Sequence, residues 1–107
     1  MKKNDSDCRL ELLESDGSTG RFQIKGKLDF ESVISLNLQA QKLFRDFREI
    51  IIDLSEVSYV NSAGLALLLD WKRLLVLQEK KSLEFLNAPQ KLHNLAQMSE
   101  IETILSI

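Results

Sequence analysis

The chain has 107 residues, 44% of them hydrophobic and 28% charged, with a formal net charge of −2. Its size suits one compact core, so a single domain over 1–107 is expected, and the composition argues against disorder. No basic patch dominates, which makes nucleic acid a poor partner, and no apolar run approaches the roughly 18–20 residues that span a bilayer.

Residues 1–7 are polar, and fraying is expected there. The start, MKKNDSDC, has two lysines with no apolar region behind them, unlike a secretory signal. Cys8 is the one cysteine. It cannot close an internal disulfide, which points to a reducing compartment. The expectation is a cytoplasmic protein, with any link to a membrane running through a partner rather than by direct insertion.

CRLELLE (8–14) begins with alternation, Cys8, Leu10 and Leu12 sharing a face, and slips register at Leu13. Asp16-Gly17 is a strong hairpin signal. RFQIKGKL (21–28) alternates again, with Phe22, Ile24 and Leu28 on one side. Over 29–47 the period changes. Val33, Leu36, Ala40, Leu43, Phe44 and Phe47 recur at three- and four-residue steps, as on one face of a helix that Asp29 or Ser32 could cap. EIIIDL (49–54) is a short β-branched run that reads as a strand buried on both faces. SEVSYV continues extended. Asn61 and Ser62 then open a second helix to about Gln78. KSLEFLN (81–87) is a further strand, and Pro89 suits the first turn of a third helix. The tail, IETILSI, is apolar enough to pack down. This order is an α/β architecture: a small, open mixed sheet with helices over it.

The chemistry concentrates at 61–64. Asn61 is a favoured N-cap, and Ser62 follows as the first or second helical residue, near unpaired N–H groups and the positive end of the helix dipole. A phosphate would be electrostatically welcome there. Ala63 and Gly64 are small and leave the hydroxyl unshielded. An ordinary cap is the simplest reading. A serine nucleophile needs a base and an orienting group, and the only histidine, His93, has neither beside it in the sequence. There is no phosphate loop, no GxGxxG and no Cys/His cluster for zinc. No catalytic site, cofactor or metal is therefore expected. Asp53, at a strand end, reads as a group that satisfies nearby backbone.

The second helix carries two apolar stripes. Leu65, Leu68, Leu69, Leu75 and Val76 form one; Leu67, Trp71 and Leu74 form the other, nearly opposite. A helix on a sheet in so small a chain leaves one face open. One stripe is thus a candidate interface with Trp71 as its anchor, unless the third helix or a second copy covers it.

These residues resemble a family. GKLDF, an amphipathic helix, then IIIDLSEVSYVNSAGLALLL are similar to the STAS domain, the sulfate-transporter and anti-sigma-factor-antagonist domain. Its pattern is a strand ending Asp-Leu, a short segment, then Asp-Ser/Thr-Ser/Ala-Gly-Leu opening a helix. Here those positions are Asp53-Leu54 and Asn61-Ser62-Ala63-Gly64-Leu65. The resemblance covers roughly residues 9–105 and implies the STAS fold, with helices mainly on one face of the sheet.

The SAGLALLL run looks most like the small STAS subunit of the Mla system, a bacterial ABC complex that moves phospholipids between the two envelope membranes. That resemblance implies a non-enzymatic subunit peripheral to the inner membrane, docked on an ATPase that is itself bound to a permease. Asn61, Ser62, Ala63, Gly64, Leu67, Trp71 and Leu74 would be its contact residues. The other branch, the anti-sigma factor antagonists, implies an anti-sigma factor or serine kinase as partner and phosphorylation of Ser62. The transporter branch typically has Thr where Ser62 stands. Both branches usually carry Asp where this chain has Asn61, which can cap but has no charge.

Overall fold

The computed structural model describes residues 8–107. The expected fraying of 1–7 lies outside the described residues. The first strands are β1 (Cys8–Asp16) and β2 (Thr19–Leu28), followed by helix α1 (Val33–Leu43). Then come β3 (Glu49–Asp53), β4 (Val57–Val60) and α2 (Ser62–Lys72). The last elements are β5 (Ser82–Leu86), α3 (Gln90–Met98) and α4 (Glu102–Leu105). Beyond Lys72 the second helix continues as a wider π-helical segment over Arg73–Gln78, closed by the Glu79 N–H donating to the Leu74 carbonyl at 3.0 Å.

β1 and β2 form an antiparallel hairpin around Gly17 and Ser18, with Asp16 opposite Thr19. Gly17 has φ +62°, a left-handed conformation that glycine adopts without penalty. The register slips between Leu12 and Glu14, so the break in alternation at Leu13 is a β-bulge. It leaves Leu12 exposed while Cys8 and Leu10 are buried.

The sheet runs β1-β2-β3-β5, with the last three strands parallel. β4 pairs with β2 in parallel as well, at Gly26–Leu28, while β3 takes Thr19–Gln23. Gly26 is opposite both Cys8 and Val57, so β3 and β4 lie end to end along the edge of β2 that β1 does not use. Residues 55–60 are therefore a turn and a separate strand rather than a simple continuation of β3.

Inward residues meet in rows across the strands. Phe22, Ile52 and Phe85 form one row, and Ile50 and Leu83 belong to the next; all are buried. The outward residues Arg21, Glu49, Asp53 and Glu84 stay at least partly in water. This corrects the expectation that 49–54 is buried on both faces. Ile50 and Ile52 face the helices, but Ile51 is only half-buried on the open side. A continuous apolar run cannot by itself distinguish one covered face from two.

α2 is the central helix. Trp71 packs edge-on against Phe44 at the end of α1, at 5.3 Å between ring centroids, and its indole N–H donates to Asn37 Oδ1 at 2.9 Å. α3 and α4 flank α2 as well. Leu105 is fully buried, so the tail packs down as its composition suggests. The Leu10 N–H on β1 donates to Gln39 Oε1 at 3.0 Å, which ties α1 to the hairpin.

Burial corrects the reading of Trp71 as an exposed anchor. Trp71 is 2% exposed and Leu67 is buried, because α1 covers that stripe. Only Leu74 of the three remains exposed, out on the π-helical turn. The ridge that α2 leaves in water is small and polar: Ser62, Ala66, Asp70 and Arg73.

Candidate functional site

The site begins where β4 stops. Val60 is buried, and the next residue, Asn61, has extended backbone (φ −128°, ψ −170°). Its N–H donates to the Leu28 carbonyl at the end of β2, at 3.3 Å. Its side-chain Oδ1 accepts from the N–H groups of Ala63 (3.0 Å) and Gly64 (3.3 Å), and its carbonyl accepts the first helical bond, from Leu65. Asn61 is thus a complete N-cap, and Ser62 is the first helical residue.

Gly64 is required by approach. A Cβ there would overlap the Leu28 backbone carbonyl and sit 2.6 Å from Leu28 Cγ. The first turn of α2 therefore presses against the end of β2, with only a hydrogen at the contact. This fixes the direction in which Ser62 emerges. Ser62 is exposed, and its hydroxyl has no hydrogen-bond partner among the described residues. Of the residues the sequence singles out, Asn61 and Gly64 build this corner, while Ser62 and the half-buried Ala63 present it.

Residues of that corner line two hollows. One, of about 480 Å³, is lined by Asn61 together with Phe30, Tyr59, Asp29, Glu31 and Lys27. The other, of about 390 Å³, runs between the helices, with Ile34 and Leu38 on the α1 side and Ala63, Ala66 and Asp70 on the α2 side. Ser62 falls between Asn61, which lines one hollow, and Ala63, which lines the other, in the sequence.

The apolar component comes from α1 and the loop before it. Phe30 and Ile34 are each 73% exposed and Leu38 is 56% exposed. Sequence reasoning missed these residues. Their signal was a second four-residue spacing, 30-34-38, hidden under the stronger inward stripe of Leu36, Ala40 and Phe44.

Asp29 shapes the approach to this surface. Its Oδ1 accepts from the N–H groups of Glu31 and Ser32, while Ser32 Oγ donates to the Lys27 carbonyl. Asp29 and Ser32 together make the turn into α1, which holds Phe30 outward.

Two titratable groups among the described residues have shifted pKa values. Asp53 has its pKa lowered, chiefly by accepting from the Ser55 backbone N–H at 2.8 Å, with smaller help from Asn87 and Arg21 against burial. Asp53 thus satisfies backbone at a strand end, as the sequence suggests. Lys72 has its pKa lowered by burial, opposed by Glu84; its ammonium donates to the Leu83 carbonyl. Among the described residues no three His, Cys, Asp or Glu side chains gather to hold a metal ion. No helix among them is long and apolar enough to cross a membrane.

A family model described as "Mlab, STAS domain" matches residues 11–106. The chain belongs to the STAS domain family. Solved STAS-fold structures superpose on it. The unphosphorylated anti-sigma factor antagonist SpoIIAA is 22% identical over 88% of this chain and 81% of its own, with a TM-score of 0.67. An anti-sigma factor antagonist from Mycobacterium paratuberculosis is 16% identical over 89% of this chain and 81% of its own, at 0.72. The Bacillus cell fate determinant SpoIIAA in its phosphorylated form is 20% identical over 90% and 86%, at 0.66. At such identities the likeness is one of fold. No curated protein matches the chain. The STAS fold accounts for the open sheet, the helices on one face and the helix that Ser62 opens.

Proposed function

We propose that this STAS domain is a non-enzymatic docking subunit that binds and supports the ATPase of an ABC-type phospholipid transporter, one that maintains outer-membrane lipid asymmetry. The observation that carries this reading is the exposed surface made by Phe30, Ile34 and Leu38 beside the Ser62 end of α2. Large apolar side chains aligned in water are characteristic of interaction surfaces. The match to the model described by the word Mlab favours the transporter partner. The protein would lie in the cytoplasm, peripheral to the inner membrane through the ATPase and its permease.

A second reading has one specific observation in its favour. Ser62 is exposed at a capped helix N-terminus, where a phosphate would be favoured by the positive end of the helix dipole. SpoIIAA is solved in both phosphorylated and unphosphorylated forms. An anti-sigma factor antagonist switched by phosphorylation of Ser62 is the alternative.

Affinity capture from the native cell, with wild type and Ser62→Asp side by side, tests both. The transporter reading expects an ABC ATPase held by wild type and lost by Ser62→Asp, with the fold of the variant intact. Equal capture by both proteins overturns the role of Ser62, and absence of any ABC ATPase overturns the transporter reading. A serine kinase in the capture, with phosphate appearing on Ser62 when ATP is added, moves the protein to the signalling branch.

A further inference from the structure

The groove between α1 and α2 specifies what can lie in it. On the α2 side it is lined by Ala63, Ala66 and Asp70, spaced three and four residues apart along one helix face. On the α1 side stand Ile34 and Leu38, one turn apart. A row of small side chains faces a row of large ones, and seven residues of helix give a channel about 10 Å long.

Both walls are helices whose backbone groups are already satisfied within them. An extended segment laid here would find no strand edge to bond. A helix has its own backbone paired and needs only side-chain contact, and small residues on α2 allow its axis to come close.

Among the described residues, Asp70 is the one charged side chain that lines the groove. The Asp70 carboxylate, at the far end, makes no hydrogen bond or ion pair among the described residues. In the hollow that Asn61 lines the charges are mixed: Asp29 and Glu31 flank Phe30, Lys27 lies with them, and the Lys91 ammonium stands 4.9 Å over the Tyr59 ring. An unpaired carboxylate in a groove with no other charge calls for a basic group on the ligand. A second copy of this chain would bring the same carboxylate to the same groove.

We infer that the α1–α2 groove receives an amphipathic helix of the docked partner. Its apolar side chains, at three- and four-residue spacing, pack on Ile34 and Leu38, and a Lys or Arg one or two turns along pairs with Asp70. The inference rests on the docking reading above and adds the chemistry of the docked segment.

The test uses the full chain co-purified with the ABC ATPase. A photo-crosslinking benzoylphenylalanine in place of Leu38 identifies the partner segment, and binding is measured for Ala66→Trp and Asp70→Lys. Both substitutions sit on the exposed ridge of α2, so the thermal midpoint should stay near that of wild type. The expected results are a crosslink to a helical segment carrying Lys or Arg, abolished binding by Ala66→Trp, and about tenfold weaker binding by Asp70→Lys. Reversing the partner's basic residue to Glu should restore binding to Asp70→Lys. A crosslink to a loop, to an acidic segment, to lipid or to a second copy overturns the inference. If both groove variants bind like wild type while Ser62→Asp does not, docking stands and the helix-in-groove assignment falls. If wild type captures no ATPase, both readings fall.

Discussion

Gly64→Ala probes the contact that sets the site. The added methyl would overlap the Leu28 carbonyl and approach Leu28 Cγ to 2.6 Å. Neither neighbour can yield cheaply. Leu28 is fully buried, and its carbonyl also accepts the Asn61 N–H. Overpacking costs about 1–3 kcal/mol, and contact with backbone places this case at the upper end. Alanine returns at most about 1 kcal/mol of helix propensity relative to glycine. The net is about 2 kcal/mol of destabilisation, or a fall of about 8–16 °C in Tm for a domain near this size. Thermal unfolding followed by circular dichroism measures it, with Ala66→Gly as a control that changes propensity alone on the exposed ridge. A Gly64→Ala midpoint equal to or above wild type would refute the close approach of α2 to β2. Docking should weaken in the variant even where it is folded, because the first turn of α2 must move outward to make room.

Three further outcomes follow from geometry. Asn61→Ala removes a cap with two accepted N–H groups and should cost about 1 kcal/mol, read as a lower urea midpoint, whereas Asn61→Asp should cap as well or better at neutral pH. Trp71→Phe loses the indole bond to Asn37 and some core volume, about 1–3 kcal/mol by chemical denaturation, yet should leave partner capture intact because Trp71 is internal. Asp53 holds its pKa below the ordinary 3.8, so its stabilising contribution is complete above that pH and is lost as pH falls through the lower folded value. Stability curves for Asp53→Asn should therefore lack part of the acid limb below pH 3.8, and an unchanged limb would remove that assignment.

The periodic parts of this fold were legible in the sequence. The alternation from Cys8 with its break at Leu13, the alternation of Phe22, Ile24 and Leu28, and the change of period at Val33 all correspond to what the chain forms. So does the cap at Asn61, because capping is local chemistry. Where the reading went astray, the missing information was which neighbour lies against which face. A helical wheel separates the Leu67–Trp71 stripe from the Leu65–Leu68 stripe, but it cannot say that α1 covers the first. Nor can it say that Phe30, Ile34 and Leu38 are left over once α1 has committed Leu36 and Ala40 to the core. Gly64 read as merely small. Its need for close approach depends on Leu28, thirty-six positions earlier, and no local pattern carries that.

The placement of β2 has a kinetic consequence. One strand bonds β1 along one edge and both β3 and β4 along the other, and its last carbonyl holds Asn61. No neighbour can peel away without β2 losing a partner, and β2 cannot detach without dissolving the sheet. Its central amides should exchange with deuterium only through complete unfolding, while the exposed ends of α1 and α2 exchange by local opening. A pull applied by a partner at the first turn of α2 would therefore be borne by the slowest-opening segment of the chain, so the partner should dissociate before that corner of the domain gives way.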